Sequence, residues 1–188
     1  MMRTMLICLI LVSPAAAQTI GAASTGPTMV MPPPSGKFVY IEQIGDSNTA
    51  YVKQVDSGNQ QALIVTHGDN NNVTVLQHDG GDHRASVGPD GVTASQSTNN
   101  GNVIGILQQG DGNHQASVVM SDPIANSNNI AKIYQSGGAG ADKQFTLQLS
   151  GSHIEANVVQ DNPITADSAR MSISCYTGSC KGYSYVKH

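Results

Sequence analysis

The sequence predicts an all-β chain: a β-solenoid of stacked strand-arc-strand repeats, two strands per turn, amyloid-like in its stacking. Three observations predict it. The first is a recurring carboxamide pattern, Gln43-x-Gly45-x-x-Asn48-x-Ala50-x-x-x-Gln54. Its later half returns as Asn71-x-Val73-x-Val75-x-Gln77, Asn102-x-Ile104-x-Ile106-x-Gln108 and Asn129-x-Ala131-x-Ile133-x-Gln135, with Gln always six residues after Asn. The second is a short period. Gln stands at 43, 54, 77, 96, 108, 135, 148 and 160, mostly eleven to thirteen residues apart or about twice that where one is missing, as in repeat architectures. The third is a core-poor composition, with 39% apolar and 4% aromatic residues and no Trp in 188 residues. A compact domain of that size needs more aromatic volume, whereas a thin two-sheet solenoid does not.

Residues 1–17 read as a secretory signal, with Arg3 in the charged region, a short apolar run at 5–12 and Ala15-Ala16-Ala17 before Gln18. That run is too short to span a bilayer, so no transmembrane segment is expected in the mature chain. Residues 18–37 are rich in Gly, Ala, Ser, Thr and Pro, including Pro32-Pro33-Pro34. They cannot bury a face and read as an extended linker.

Residues 38–160 carry the repeat. Alternate side chains of a strand share a face, so Asn48, Ala50, Val52 and Gln54 point inward while Thr49, Tyr51 and Lys53 point outward. The arcs are Gly45-Asp-Ser, Asp56-Ser-Gly58, Gly68-Asp-Asn70, Asp79-Gly-Gly81 and Gly110-Asp-Gly112, built from residues that tolerate left-handed and turn conformations. One two-strand turn should take about 22 to 25 residues. Stacking at about 4.8 Å then places amide over amide, each donating to one layer and accepting from the other. The expected ladder comprises Gln43, Asn48, Gln54, Asn71, Gln77, Asn102, Gln108, Asn113, Asn129, Gln135, Gln148 and Gln160. The arc residues Asp46, Asp56, Asp69, Asp79 and Asp111 are expected to act as charged gatekeepers that delay association.

Residues 161–188 depart from the repeat. A strand at 170–175 and the run Tyr183-Ser-Tyr-Val-Lys187 flank Cys175 and Cys180, the expected disulfide in an oxidising compartment. The segment reads as a cap on the last turn, and it carries the basic residues Arg170, Lys181 and Lys187.

Other chemistries find little support. A net charge of −4 without basic runs disfavours nucleic acid. No Gly-x-Ser-x-Gly elbow, phosphate loop or His-Glu-x-x-His occurs, so no catalytic residue, cofactor or metal is assigned and the chain is not expected to be an enzyme. His67, His78, His83, His114 and His153 fall in or beside the arcs and read as ordinary exposed side chains.

The Gln-x-Gly-x-x-Asn-x-Ala-x-x-x-Gln unit resembles the curlin repeat of curli, the functional amyloid fibres that bacteria assemble outside the cell. The resemblance covers residues 38–160 and is strongest at 43–54 and 102–113. Thr66 stands where that family has Gln, Met120 fills a Gln-like position, and insertions containing Pro89 and Pro123 should form bulged loops. The resemblance implies a secreted subunit of an extracellular fibre on the bacterial surface, serving adhesion and biofilm matrix. It also implies partners: further copies of itself, other curlin subunits, an outer-membrane secretion pore and periplasmic chaperones. By position the resemblance makes residues 18–37 the segment read by the secretion pore, and it offers residues 161–188, with Arg170, Lys181 and Lys187, as an anchor like the last repeat of the minor curlin in place of a cap. The major subunit and the minor nucleator both remain open, and the alternative is a monomeric secreted β-solenoid adhesin or ligand-binding module.

Overall fold

The computed structural model describes residues 36–89, 100–120, 127–176 and 179–188. The expected signal at 1–17, nearly all of the linker, Gln96 and Pro123 lie outside the described residues. The strands in chain order are β1 (Phe38–Ile44), β2 (Thr49–Gln54), β3 (Gln61–His67), β4 (Asn72–His78), β5 (Arg84–Pro89) and β6 (Val103–Gln109). They continue as β7 (Gln115–Met120), β8 (Ile130–Ser136), β9 (Lys143–Gly151), β10 (Ile154–Gln160), β11 (Asp167–Cys175) and β12 (Cys180–Lys187). Odd strands form one six-stranded sheet and even strands the other, each in sequential order. The pairings are parallel throughout, so each odd-even pair is one layer of a β-solenoid.

Equivalent Gln residues in successive layers of the even sheet are separated by 23, 31, 27 and 25 residues. The two longer intervals contain residues 90–99 and 121–126, and the register of the flanking strands is continuous across them. Pro89 departs from expectation: it is the last residue of β5, paired with Met120, and not part of a bulged loop. At a strand end a missing N–H interrupts little of the ladder.

The core is one residue deep on each sheet. Ala62, Ala85, Ala116 and Phe145 stack in one column of the odd sheet, and Ile64, Val87, Val118 and Leu147 in the next. Val73, Ile104, Ala131 and Ala156, then Val75, Ile106, Ile133 and Val158, oppose them from the even sheet. All are buried. The corners stack backbone on backbone: Gly45 and Gly110 have φ of 116° and 99°, and a Cβ there would lie 2.1 and 2.2 Å from the carbonyl oxygens of Gly68 and Gly137. Only glycine accepts both conditions. Ser47, Asp56, Asn70 and Asp79 are among the non-glycine residues in left-handed arc positions, in keeping with the turn chemistry of their sequence.

Residues 161–188 are not a separate element. They supply a sixth layer, with β11 on β9 and β12 on β10, and a Cys175–Cys180 disulfide with a Cα–Cα distance of 6.0 Å joins the two strands.

Candidate functional site

The even sheet carries an unbroken glutamine ladder. Gln54, Gln77, Gln108, Gln135 and Gln160 occupy one column, each Nε2 donating to the Oε1 of the next layer at 2.9, 2.8, 2.8 and 2.8 Å. The second amide hydrogen crosses to the odd sheet, where Gln77, Gln108 and Gln135 donate to the carbonyls of Gln61, Arg84 and Gln115, each at 2.9 Å. Each interior rung thus makes three hydrogen bonds while buried, and the column stitches layer to layer and sheet to sheet. The ladder ends when Gln160 Nε2 donates to Asp167 Oδ2 at 2.7 Å.

A second ladder opens the same strands. Asn48, Asn71, Asn102 and Asn129 stack, and each Oδ1 accepts the backbone N–H of the next layer, from Asn71, Asn102, Asn129 and finally Ile154, at 2.9 to 3.1 Å. Nδ2 of Asn71 and of Asn102 donates back to the preceding Oδ1. The two ladders therefore run with opposite hydrogen-bond polarity: glutamine donates toward the C-terminal end of the stack and asparagine toward the N-terminal end.

Three assigned ladder residues sit elsewhere. Gln43 is inward on the odd sheet, in column with Thr66, and neither Gln43 Nε2 nor the Thr66 hydroxyl has a partner among the described residues. Further along that column stand Met120, Leu149 and Ile173, so the odd sheet has an apolar row where the even sheet has amides. Gln148 has the opposite parity: the run Phe145-x-Leu147-x-Leu149 fills the interior, and Gln148 faces outward to accept from Arg170. Its spacing from Gln160 matched the period but not the face. Asn113 is exposed in an arc. There it belongs to a staircase in which the side-chain oxygens of Asn59, Asp82, Asn113 and Asp142 accept the N–H groups of Gly36, Asn59, Asp82 and Asn113.

Other arc acids act in the same way. Asp69 accepts from Asp46 N–H at 2.7 Å, Asp56 from Asp79 N–H at 3.1 Å, and Asp79 from Gly110 N–H at 2.8 Å. These carboxylates are structural acceptors between layers as well as charges. Asp79→Asn should therefore leave thermal stability within about 0.5 kcal/mol, because the acceptor and the tolerance of positive φ are both kept. Asp79→Ala should cost about 1 to 2 kcal/mol in denaturant titration.

The largest departure from the sequence reading is the column before each odd strand. Gln60, His83, His114 and Lys143 stack there, all essentially excluded from solvent. His83 and His114 are not exposed arc residues; their rings stack with centroids 5.0 Å apart and 13° between planes. His83 Nε2 bonds the His78 carbonyl and His114 Nε2 the Gln109 carbonyl, both at 2.9 Å, and Gln60 Nε2 donates to the Val55 carbonyl at 2.8 Å. One position thus accepts Gln or neutral His interchangeably. Lys143 follows, its ammonium donating to the carbonyls of Asn162 and Thr165. Burial lowers the His83 pKa, opposed by its carbonyl bond and by Asp79. Burial together with His83 lowers that of His114 to about 4. Burial also pulls Lys143 down, against Asp167, Asp161 and Asp142. A signal for this column existed in the sequence: Gln60-x-Ala62-x-Ile64, His83-x-Ala85-x-Val87 and His114-x-Ala116-x-Val118 share the small-then-branched rhythm of the Asn rows.

Among the described residues no group of three or more His, Cys, Asp or Glu is arranged to hold a metal ion. Two open surface concavities share Arg84, Gln115 and Gln144; one adds Asp82 and Asp142, the other Ser86, Ser117 and Phe145. No family model, curated protein or solved structure matches the chain.

Proposed function

We propose that this chain is an exported, curlin-like subunit of an extracellular amyloid fibre, polymerising by templated β-strand addition and serving adhesion and biofilm matrix. The observation that supports it most is the five-rung glutamine ladder with its companion asparagine ladder, which begins at the first layer without a capping element among the described residues. Parallel strands at such an end offer unpaired N–H and C=O groups to an incoming layer. The partners on this reading are further copies, other curlin-type subunits, a secretion pore and periplasmic chaperones. The runner-up, a monomeric adhesin or binding module, draws support from the sixth layer, where Lys187 replaces Gln in the ladder column.

Assembly of the purified chain from residue 18 onward separates the two. At tens of micromolar the fibre reading expects a lag, then dye-binding polymer, with the lag shortened by seeds. A chain that stays monomeric for days in the presence of seeds supports the module instead.

A further inference from the structure

The two ends of the solenoid leave their inner rows half-covered. Inner apolar side chains of the middle layers are buried, whereas Val39, Ile41, Ala50 and Val52 of the first layer and Ala169, Met171 and Tyr185 of the last are only partly so; Ile173 and Cys175 of the last layer are buried. Two polar columns end with complementary chemistry. The column of Gln60, His83, His114 and Lys143 starts, by register, at Lys37 and finishes at Asp167. The glutamine column starts at Gln54, whose Oε1 receives no amide from a described layer, and finishes at Lys187, paired with Gln160. Lys37 is exposed, and among the described residues its ammonium reaches only the Gln54 carbonyl, at 3.4 Å.

We propose that these ends are the two halves of one interface: the last layer of one chain docks in column on the first layer of a second copy, with Asp167 beside Lys37 and Lys187 beside Gln54 Oε1. This rests on the polymerisation reading above and adds the contact, its polarity and its register. The occupant is a second copy because each face supplies what the other lacks: acid meets base, ammonium donor meets amide acceptor, and half-covered apolar rows meet each other. Joining unlike faces is a heterologous contact that repeats without closing, as a filament requires. A charge pair at one column and an ammonium–amide pair at the other select this register, since a one-residue slip would turn every inner side chain outward.

Paired cysteines at outward, exposed positions test it without touching the core. Tyr40 and Arg170 stand in one column of the odd sheet at its two ends. Within one chain they are five layer spacings apart, roughly 24 Å, but across the proposed junction their Cα atoms would be about 4.8 Å apart, within disulfide range. Oxidised assemblies of the Tyr40→Cys/Arg170→Cys chain should run as covalent multimers on a non-reducing denaturing gel. A Tyr40→Cys/Ser172→Cys chain, two residues out of register, should not. Lys37→Glu should slow elongation about tenfold and Lys37→Arg should restore it. Fibres that fail to cross-link in register, that cross-link in the slipped pair, or that elongate normally with Lys37→Glu would overturn the proposed contact alone. Absence of any assembly by the unsubstituted chain would overturn both this contact and the polymer reading.

Discussion

Gln108→Ala should destabilise the fold by about 4 kcal/mol and split its unfolding into two steps. Gln108 is the central rung: it accepts from Gln77, donates to Gln135 and donates across to the Arg84 carbonyl. Removing it strands three buried partners, at roughly 1 to 3 kcal/mol for each unsatisfied group. Some of that is recovered where a neighbouring amide rotates or water enters the gap. Because a solenoid is held by nearest-neighbour contacts, a weakened central junction should uncouple the layers on either side. A urea titration followed by far-ultraviolet circular dichroism reads both effects. Gln109→Ala on the same strand, which loses one partly exposed bond to the Tyr134 hydroxyl, should cost under about 1 kcal/mol. Equal losses at Gln108 and Gln109 would contradict the inward amide register.

The second large effect is acid sensitivity with a histidine signature. His83 and His114 are buried as neutral rings, so the folded chain binds fewer protons at these sites than the unfolded chain, whose histidines titrate near pH 6.5. Their contribution is complete above that value and is lost progressively as pH falls through 6.5 toward the folded pKa, about 4 for His114. The His114 shift alone amounts to roughly 3 kcal/mol at the acid end of that window, and His83 moves in the same direction. Protonation of both would also place two cations in stacked contact, with the Lys143 ammonium in the next layer. His83→Gln/His114→Gln should be nearly neutral at pH 7, since Gln60 already fills the equivalent position with an equivalent bond. It should also flatten the stability profile between pH 6.5 and 4. A double variant that loses stability in parallel with the parent over that window would show that the rings do not carry the effect.

The even sheet was legible in the sequence because its determinants are local. Strand parity and a six-residue interval place Asn102 and Gln108 on one face, and identical residues at the same interval in other layers can only stack. The solenoid class and the two-strand turn followed from the same reasoning. The odd sheet was harder because its polar column changes residue type in nearly every layer, from Gln60 to His83 to Lys143. What those residues share is an acceptor, a neighbouring backbone carbonyl such as that of Val55, His78 or Asn162. That acceptor is set by the arc geometry and has no sequence signature of its own. Gln148 escapes the ladder for a related reason: its spacing from Gln160 fits the period, but the Phe145-x-Leu147-x-Leu149 row takes the inner face. The arc acids also do more than their charge suggested, since a staircase of acceptors is visible only once the layers are stacked.

Oriented-fibre X-ray diffraction from the purified chain, beginning at residue 18 and assembled without denaturant, tests the central claim most directly. The account predicts a meridional reflection near 4.7 Å from strands perpendicular to the fibre axis and an equatorial reflection near 10 Å from the two facing sheets. Absence of fibres, or fibres whose strand spacing lies along the equator, would contradict a stack that grows by adding layers to the end of its ladders.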